Sequence, residues 1–144
     1  MVGDGIQALF GYLEQDLLSF TSRLDVTLRP TLSLQMYAEP FVSAGHFTNV
    51  REIANPRAAR YDDRFRAYGG PVPDGDFNEK SFNASAVMRW EYRPGSTLFV
   101  VWTQARSQGD LDIGEFSARR DYRNLFAARP DNVFLVKASY WLGR

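Results

Sequence analysis

From Leu18 to Leu28 the chain alternates without interruption. Leu18, Phe20, Ser22, Leu24, Val26 and Leu28 take the even positions, and Ser19, Thr21, Arg23, Asp25 and Thr27 the odd ones. A period of two puts successive side chains on opposite faces, so the run predicts a strand with one apolar face. Arg29-Pro30-Thr31 interrupts it with proline in a turn-forming place. The alternation resumes with Leu32, Leu34, Met36 and Ala38 against Ser33, Gln35, Tyr37 and Glu39. A three-residue connection sets Leu28 opposite Leu32, Val26 opposite Leu34 and Leu24 opposite Met36. It also sets Asp25 opposite Gln35 and Arg23 opposite Tyr37. Both faces then match, and a slip of one residue would spoil both. A hairpin over residues 17–41 is the expectation.

The same pattern recurs twice. Phe82, Ala84, Ala86, Met88, Trp90 and Tyr92 share a face, Pro94-Gly95-Ser96 turns the chain, and Leu98, Val100 and Trp102 continue that face, for a hairpin over 81–105. Residues 133–142 close the chain as a fifth strand, with Phe134, Val136, Ala138, Tyr140 and Leu142 on one side and Leu135, Lys137, Ser139 and Trp141 on the other. Residues 1–16 are ambiguous. Ile6, Leu9, Phe10, Leu13 and Leu17 have helical spacing and Asp4 with Gln7 imitates a capping box, while Gly3, Gly5 and Gly11 argue against a helix. The alternatives are a short amphipathic helix and a frayed strand end.

The connections alternate in length. Arg29–Thr31 and Arg93–Ser96 are tight, whereas Ser43–Lys80 and Ala105–Asn132 are long. Short turns at one end, long loops at the other and strands of about ten residues form the pattern of bacterial outer-membrane barrels. Trp90, Tyr92, Tyr140 and Trp141 fall beside the tight turns, where an aromatic girdle is expected. The other face carries Arg23, Asp25, Gln35, Glu39, Arg89, Glu91 and Lys137, a mixture of both signs suited to a hydrated, ion-paired lumen. A soluble β-sandwich that binds glycans is the alternative; its apolar faces would pack on each other and its charges would face water.

Composition narrows the classes. The chain has 144 residues, 15% of them aromatic, with mean hydropathy −0.34. Its 17 basic and 17 acidic side chains cancel, so no global positive field favours nucleic acid. The absence of cysteine excludes disulfide scaffolds and the usual structural zinc sites, and a single histidine, His46, excludes a histidine-rich centre. No apolar run is long enough for a transmembrane helix, and the first residues do not read as a secretory signal. No metal or cofactor is expected.

Four ordered segments, Leu32–Gly45, Ala59–Phe65, Val87–Arg106 and Leu125–Leu142, resemble the C-terminal end of family 5916 of the domain-of-unknown-function series. Those are large bacterial proteins in which a family 9-like carbohydrate-binding module precedes an outer-membrane β-barrel. The resemblance runs over nearly the whole chain from about Phe10. It implies an all-β antiparallel meander of about five long strands, the last part of a longer barrel in the bacterial outer membrane. The partners it implies are outer-membrane lipid, the rest of the parent barrel, the barrel-assembly machinery and, through the parent, carbohydrate. The aromatic end of residues 133–142 resembles the signal read by that machinery, although Leu142-Gly143-Arg144 follow it. The family has no catalytic motif that maps here, so the segment is expected to be non-enzymatic.

Candidate chemistry is sparse. Asp62-Asp63 lies among Arg57, Arg60, Arg64 and Arg66, where cations would lower carboxylate pKa values rather than raise one for a general acid. An ion-paired loop is the simpler expectation, and a glycoside hydrolase fragment using Asp62 or Asp63 is the enzymatic alternative. Asp110, Asp112 and Glu115 echo a calcium loop without its twelve-residue spacing, so a surface loop is expected. Glu115, Arg119, Arg120, Asp121 and Arg123 read as a solvated, mixed-charge face. Among the loop aromatics, Tyr61, Phe65 and Tyr68 are the candidate glycan contacts.

Overall fold

The computed structural model describes residues 8–71 and 74–143. Its strands are β1 (Leu9–Ser19), β2 (Ser22–Arg29), β3 (Leu32–Ile53), β4 (Phe65–Ala67), β5 (Phe77–Arg93), β6 (Ser96–Gln108) and β7 (Asp131–Ser139), with one α-helix, α1 (Ala118–Ala127). The order across the sheet is β1-β3-β5-β6-β7, every pairing is antiparallel, β2 also pairs with β3, and β4 pairs with the far end of β3. The fold is an all-β meander and the sheet is open.

The first hairpin has the register its alternation dictates: Arg23 faces Tyr37, Leu24 Met36, Asp25 Gln35 and Val26 Leu34. Only the turn differs, because a bulge brings Arg29 rather than Leu28 opposite Leu32. β1 and β2 form one line in unbroken register along β3, from Ser19 opposite Phe41 to Ser22 opposite Ala38. The gap at Phe20–Thr21 has a local cause. Phe20 donates its N–H to the Pro40 carbonyl at 3.1 Å, but proline has no N–H to return the bond. The second hairpin pairs Trp90 with Leu98, Met88 with Val100 and Ala86 with Trp102. Its turn needs Gly95, whose φ of 75° disfavours any side chain.

Four expectations are corrected. The span 43–80 is not all loop: β3 continues to Ile53 and β5 starts at Phe77, since Ser43–Glu52 find partners on β1 that only the folded chain supplies. The span 105–132 contains α1. The helical alternative for the lead-in fails from Leu9 onward, where the chain is strand; Asp4, Ile6 and Gln7 lie outside the described residues. β7 also begins earlier, at Asp131, and ends at Ser139, so Tyr140–Leu142 lie beyond it.

β3 has 22 residues, about 70 Å at ~3.3 Å per residue, whereas a tilted strand crosses a bilayer in about 9–11. Both tight turns and the end of β7 lie at one end of the sheet, and the long connections at the other.

Candidate functional site

Register assigns the side chains of one face to successive rows. From the tight turns upward these are Leu32, Trp90, Leu98 and Ala138; then Val26, Leu34, Met88, Val100 and Val136; then Leu24, Met36, Ala86, Trp102 and Phe134. The next row is mixed, with Ser22, Ala38, Ala84, Gln104 and Asn132. Much of this face is uncovered: Leu24, Leu28, Met36 and Val136 are exposed, and Phe134 is 71% exposed. On the β1–β2 line the band runs from Phe20 to Leu28, about 26 Å at ~3.3 Å per residue. Among the described residues no second layer covers it. Fully burying such a side chain is worth about 1.5–3 kcal/mol, so an uncovered band of this size marks an interaction surface.

At the tight-turn end the band meets aromatic side chains. Trp90 and Tyr92 stand edge to face at 6.0 Å, the Arg93 guanidinium lies 5.7 Å from the Tyr140 ring, and the Tyr92 hydroxyl donates to the Ser139 carbonyl at 3.1 Å. The backbone N–H of Trp141 donates to Ser96 Oγ at 3.0 Å, and its side chain lies against the Gly95 turn. All four aromatics keep substantial exposure.

At the opposite end the same face turns polar. Above the mixed row come Pro40, Phe82 and Arg106, then Val42, Lys80 and Gln108, then Ala44 and Asn78. Here α1 covers the sheet, with Leu125 and Asp121 turned inward and both 0% exposed. Lys80, at 2% exposure, donates from Nζ to the Leu111 carbonyl at 3.0 Å and lies 3.8 Å from Asp121 Oδ1. Asn78 Nδ2 donates to the carbonyls of Glu115 at 2.6 Å and Asp112 at 3.1 Å. Asp121 Oδ2 accepts the Ser117 N–H at 2.8 Å, closing the first turn of the helix. Arg120 bridges Glu115 (3.1 Å), Asp112 (3.3 Å) and Asp121 (3.5 Å). Burial opposes the Arg120 charge, and these three carboxylates more than offset it, so its pKa lies above the ordinary value. Phe126 packs on Phe82 at 5.2 Å, and Arg106 Nη1 donates to the carbonyls of Phe126 and Ala128.

This cap corrects the reading of Glu115–Arg123 as a solvated face: Asp121 is wholly buried and Arg120 largely neutralised. It also gives Asp112 and Glu115 arginine and asparagine partners. Among the described residues no group of histidine and carboxylate side chains is placed to hold a metal. Lys80 and Asn78 were missed in the sequence. Their signal was the even parity they share with Phe82 and Ala84, extended one turn further by polar residues.

His46 and Asp76 brace the neighbouring loop. His46 Nδ1 lies 2.5 Å from Asp76 Oδ2, and the Phe47 N–H donates to Asp76 Oδ1 at 2.7 Å. The Phe47 amide, and after it His46, hold the Asp76 carboxyl below its ordinary value. A depressed carboxylate stabilises the fold above its unfolded pKa of about 3.9, and the contribution vanishes as pH falls through the lower folded value. Protection of the Phe47 amide against hydrogen exchange should therefore hold down to about pH 4 and fall below it. Asp76→Asn, which keeps an acceptor but no charge, should remove that acid dependence.

The charges named in the sequence, Arg23, Asp25, Glu39, Arg89, Glu91 and Lys137, share the face opposite the apolar rows. Arg23 lies 5.5 Å from the Tyr37 ring, Tyr37 donates to Glu39, and Arg89 approaches Glu91 at 3.6 Å. Tyr61 and Phe65 are in contact at 5.1 Å, and Phe65 also meets Phe10 (5.3 Å) and the Arg51 guanidinium (5.1 Å). Phe65 is therefore packed into the loop, while Tyr61 keeps an open face; Tyr68 stands apart from this stack, its N–H bonded to the Val50 carbonyl. Asp62 and Asp63 sit exposed in a 3-10 turn. Their expected arginine partners bond elsewhere, Arg66 to Glu52 at 2.7 Å and Arg64 to the Ala58 carbonyl at 3.0 Å.

No helix among the described residues is long and apolar enough to cross a membrane, a statement that does not bear on strands. No family model matches the chain, and no curated protein or solved structure is detectably similar to it.

Proposed function

We propose that this chain forms part of the wall of a bacterial outer-membrane β-barrel, with the apolar rows facing lipid and the charged face lining a hydrated interior. The observation that carries the reading is the uncovered band itself. It is about the length of a bilayer crossing, it is backed by the face that carries the charged side chains, and it is bounded by aromatics at one edge and by a polar cap at the other. A soluble sandwich would need a second sheet on these rows. The resemblance to family 5916 points the same way and links the parent to carbohydrate binding or uptake. Open placement of Asp62 and Asp63 favours a structural over a hydrolytic role.

The edges add a constraint on the rest of the wall. Every residue of β7 is exposed, as is nearly every residue of β1, so both edges offer unpaired backbone groups. Five long strands in an antiparallel meander leave β1 and β7 running in the same direction. Joining one to the other would make a parallel seam, whereas bacterial barrels close antiparallel with an even count of at least about eight. An odd number of further strands completes such a wall. Recovery of the natural protein in the outer-membrane fraction, with a gel mobility that changes on heating, is the expected result; a freely soluble monomer would overturn the reading.

A further inference from the structure

We propose that the outward face of α1 binds the phosphate headgroups of anionic lipids at the upper rim of the apolar band. The inference rests on the barrel reading for the position of that rim. Residues 116–130 contain four arginines and one acid, and that acid, Asp121, is buried. Arg120 is spent on Asp112, Glu115 and Asp121. Arg119, Arg123 and Arg129 are exposed, and none makes an ion pair or hydrogen bond with the described residues.

Helical geometry then sets their direction. With Asp121 and Leu125 turned onto the sheet, Arg119 and Arg123 project on the opposite side, and Phe126 lies on the flank between. Phe126 is half exposed and sits on Phe82, whose partner Pro40 accepts the Phe20 N–H, so it stands level with the upper end of the band. Arg129 follows immediately, before the chain enters β7 beside Gln104 and Ala105. Unpaired guanidinium groups thus share this helix and its C-terminal exit with a half-exposed ring at the height where lipid headgroups would begin, on the face that lipid would touch. Guanidinium suits this task because its planar donors match phosphate oxygens in pairs. An arginine-rich helix side with an apolar foot is the arrangement of interfacial helices.

The test uses the full chain and vesicles of either pure phosphatidylcholine or an equal mixture with phosphatidylglycerol. Wild type should prefer the mixture by about a hundredfold at low salt, from roughly tenfold or less per basic group near a charged surface. Arg119→Gln/Arg123→Gln/Arg129→Gln should lose that preference and keep its binding to phosphatidylcholine, whereas Arg57→Gln/Arg60→Gln, in the other loop, should behave as wild type. Equal affinity of wild type for both compositions, or an undiminished preference in the triple variant, overturns the proposal; the first result would turn these arginines toward an acidic protein segment. Displacement by excess inorganic phosphate also overturns it, in favour of a free anion. If phosphatidylcholine captures no protein, the barrel reading fails, while the arginine dependence on the mixed vesicles still decides the headgroup contact.

Discussion

Asp121→Leu should destabilise the helix-capped end of the sheet by about 3–5 kcal/mol, because it strands a buried ammonium. Lys80 Nζ would keep only the Leu111 carbonyl, with no counter-ion in reach. The Ser117 N–H and Asn78 Nδ2 would lose an acceptor as well. Lys80→Met should cost less, since Asp121 retains Arg120 at 3.5 Å and its bond from Ser117. Combining Lys80→Met with Asp121→Leu should recover much of the loss, as replacing both members of a buried pair by apolar groups is often close to neutral. Denaturant unfolding of the four proteins gives the coupling directly. Hydrogen exchange of the α1 amides tells whether the damage is local: the Asp121 variant should expose residues 118–127 and leave the β5–β6 ladder protected. Equal losses in both single variants, with no recovery in the double, would show that the pair acts only through packing.

The second large effect is expected in the band. Val100 occupies its central row, between Met88 and Val136. An arginine on the lipid face at mid-bilayer costs about 2–4 kcal/mol, falling to about 0–1 near an interface. Val100→Arg should therefore weaken the bilayer-folded protein by about 2–4 kcal/mol, and Leu28→Arg, beside the tight turn, by about 1 or less. Thr103→Arg, exposed on the opposite face, should be almost neutral. The graded response with depth is the discriminating feature. In a packed water-soluble core, cost would follow burial, and a position as exposed as Leu28 would carry no information about depth. Folding titrations into vesicles measure all three.

The pattern of the sequence reaches the hairpins and the two ends of the sheet, and α1 adds a part that it did not supply. Lys80 and Asn78 continue the parity of the apolar run, yet nothing local says what faces them. Their partners Asp121, Glu115 and Asp112 lie 34 to 43 residues away. A run such as Ala118–Ala127 shows its inward stripe only once the sheet is there to cover, because Leu125 is its one buried apolar residue. The same holds for the loop carboxylates: proximity in sequence suggested that Asp62 and Asp63 pair with the arginines beside them, while the folded loop gives Arg66 to Glu52, 14 residues away.

By itself the sequence determined the two hairpins, the register along their strands, where the tight turns fall and which residues share a face. Those features follow from a two-residue period read across a connection too short to allow a slip. Tertiary structure decided how far β3 runs past Ser43, because that segment is strand only in the company of β1. It also decided that the β1–β2 line breaks at Phe20, where Pro40 cannot return a hydrogen bond. And it decided that the sheet's one apolar face has two fates. Near the tight turns it stays open, since none of the described residues folds back over it; at the far end a helix covers it, because buried Lys80 and Asn78 there need the carbonyls and the carboxylate that only a distant loop and helix provide.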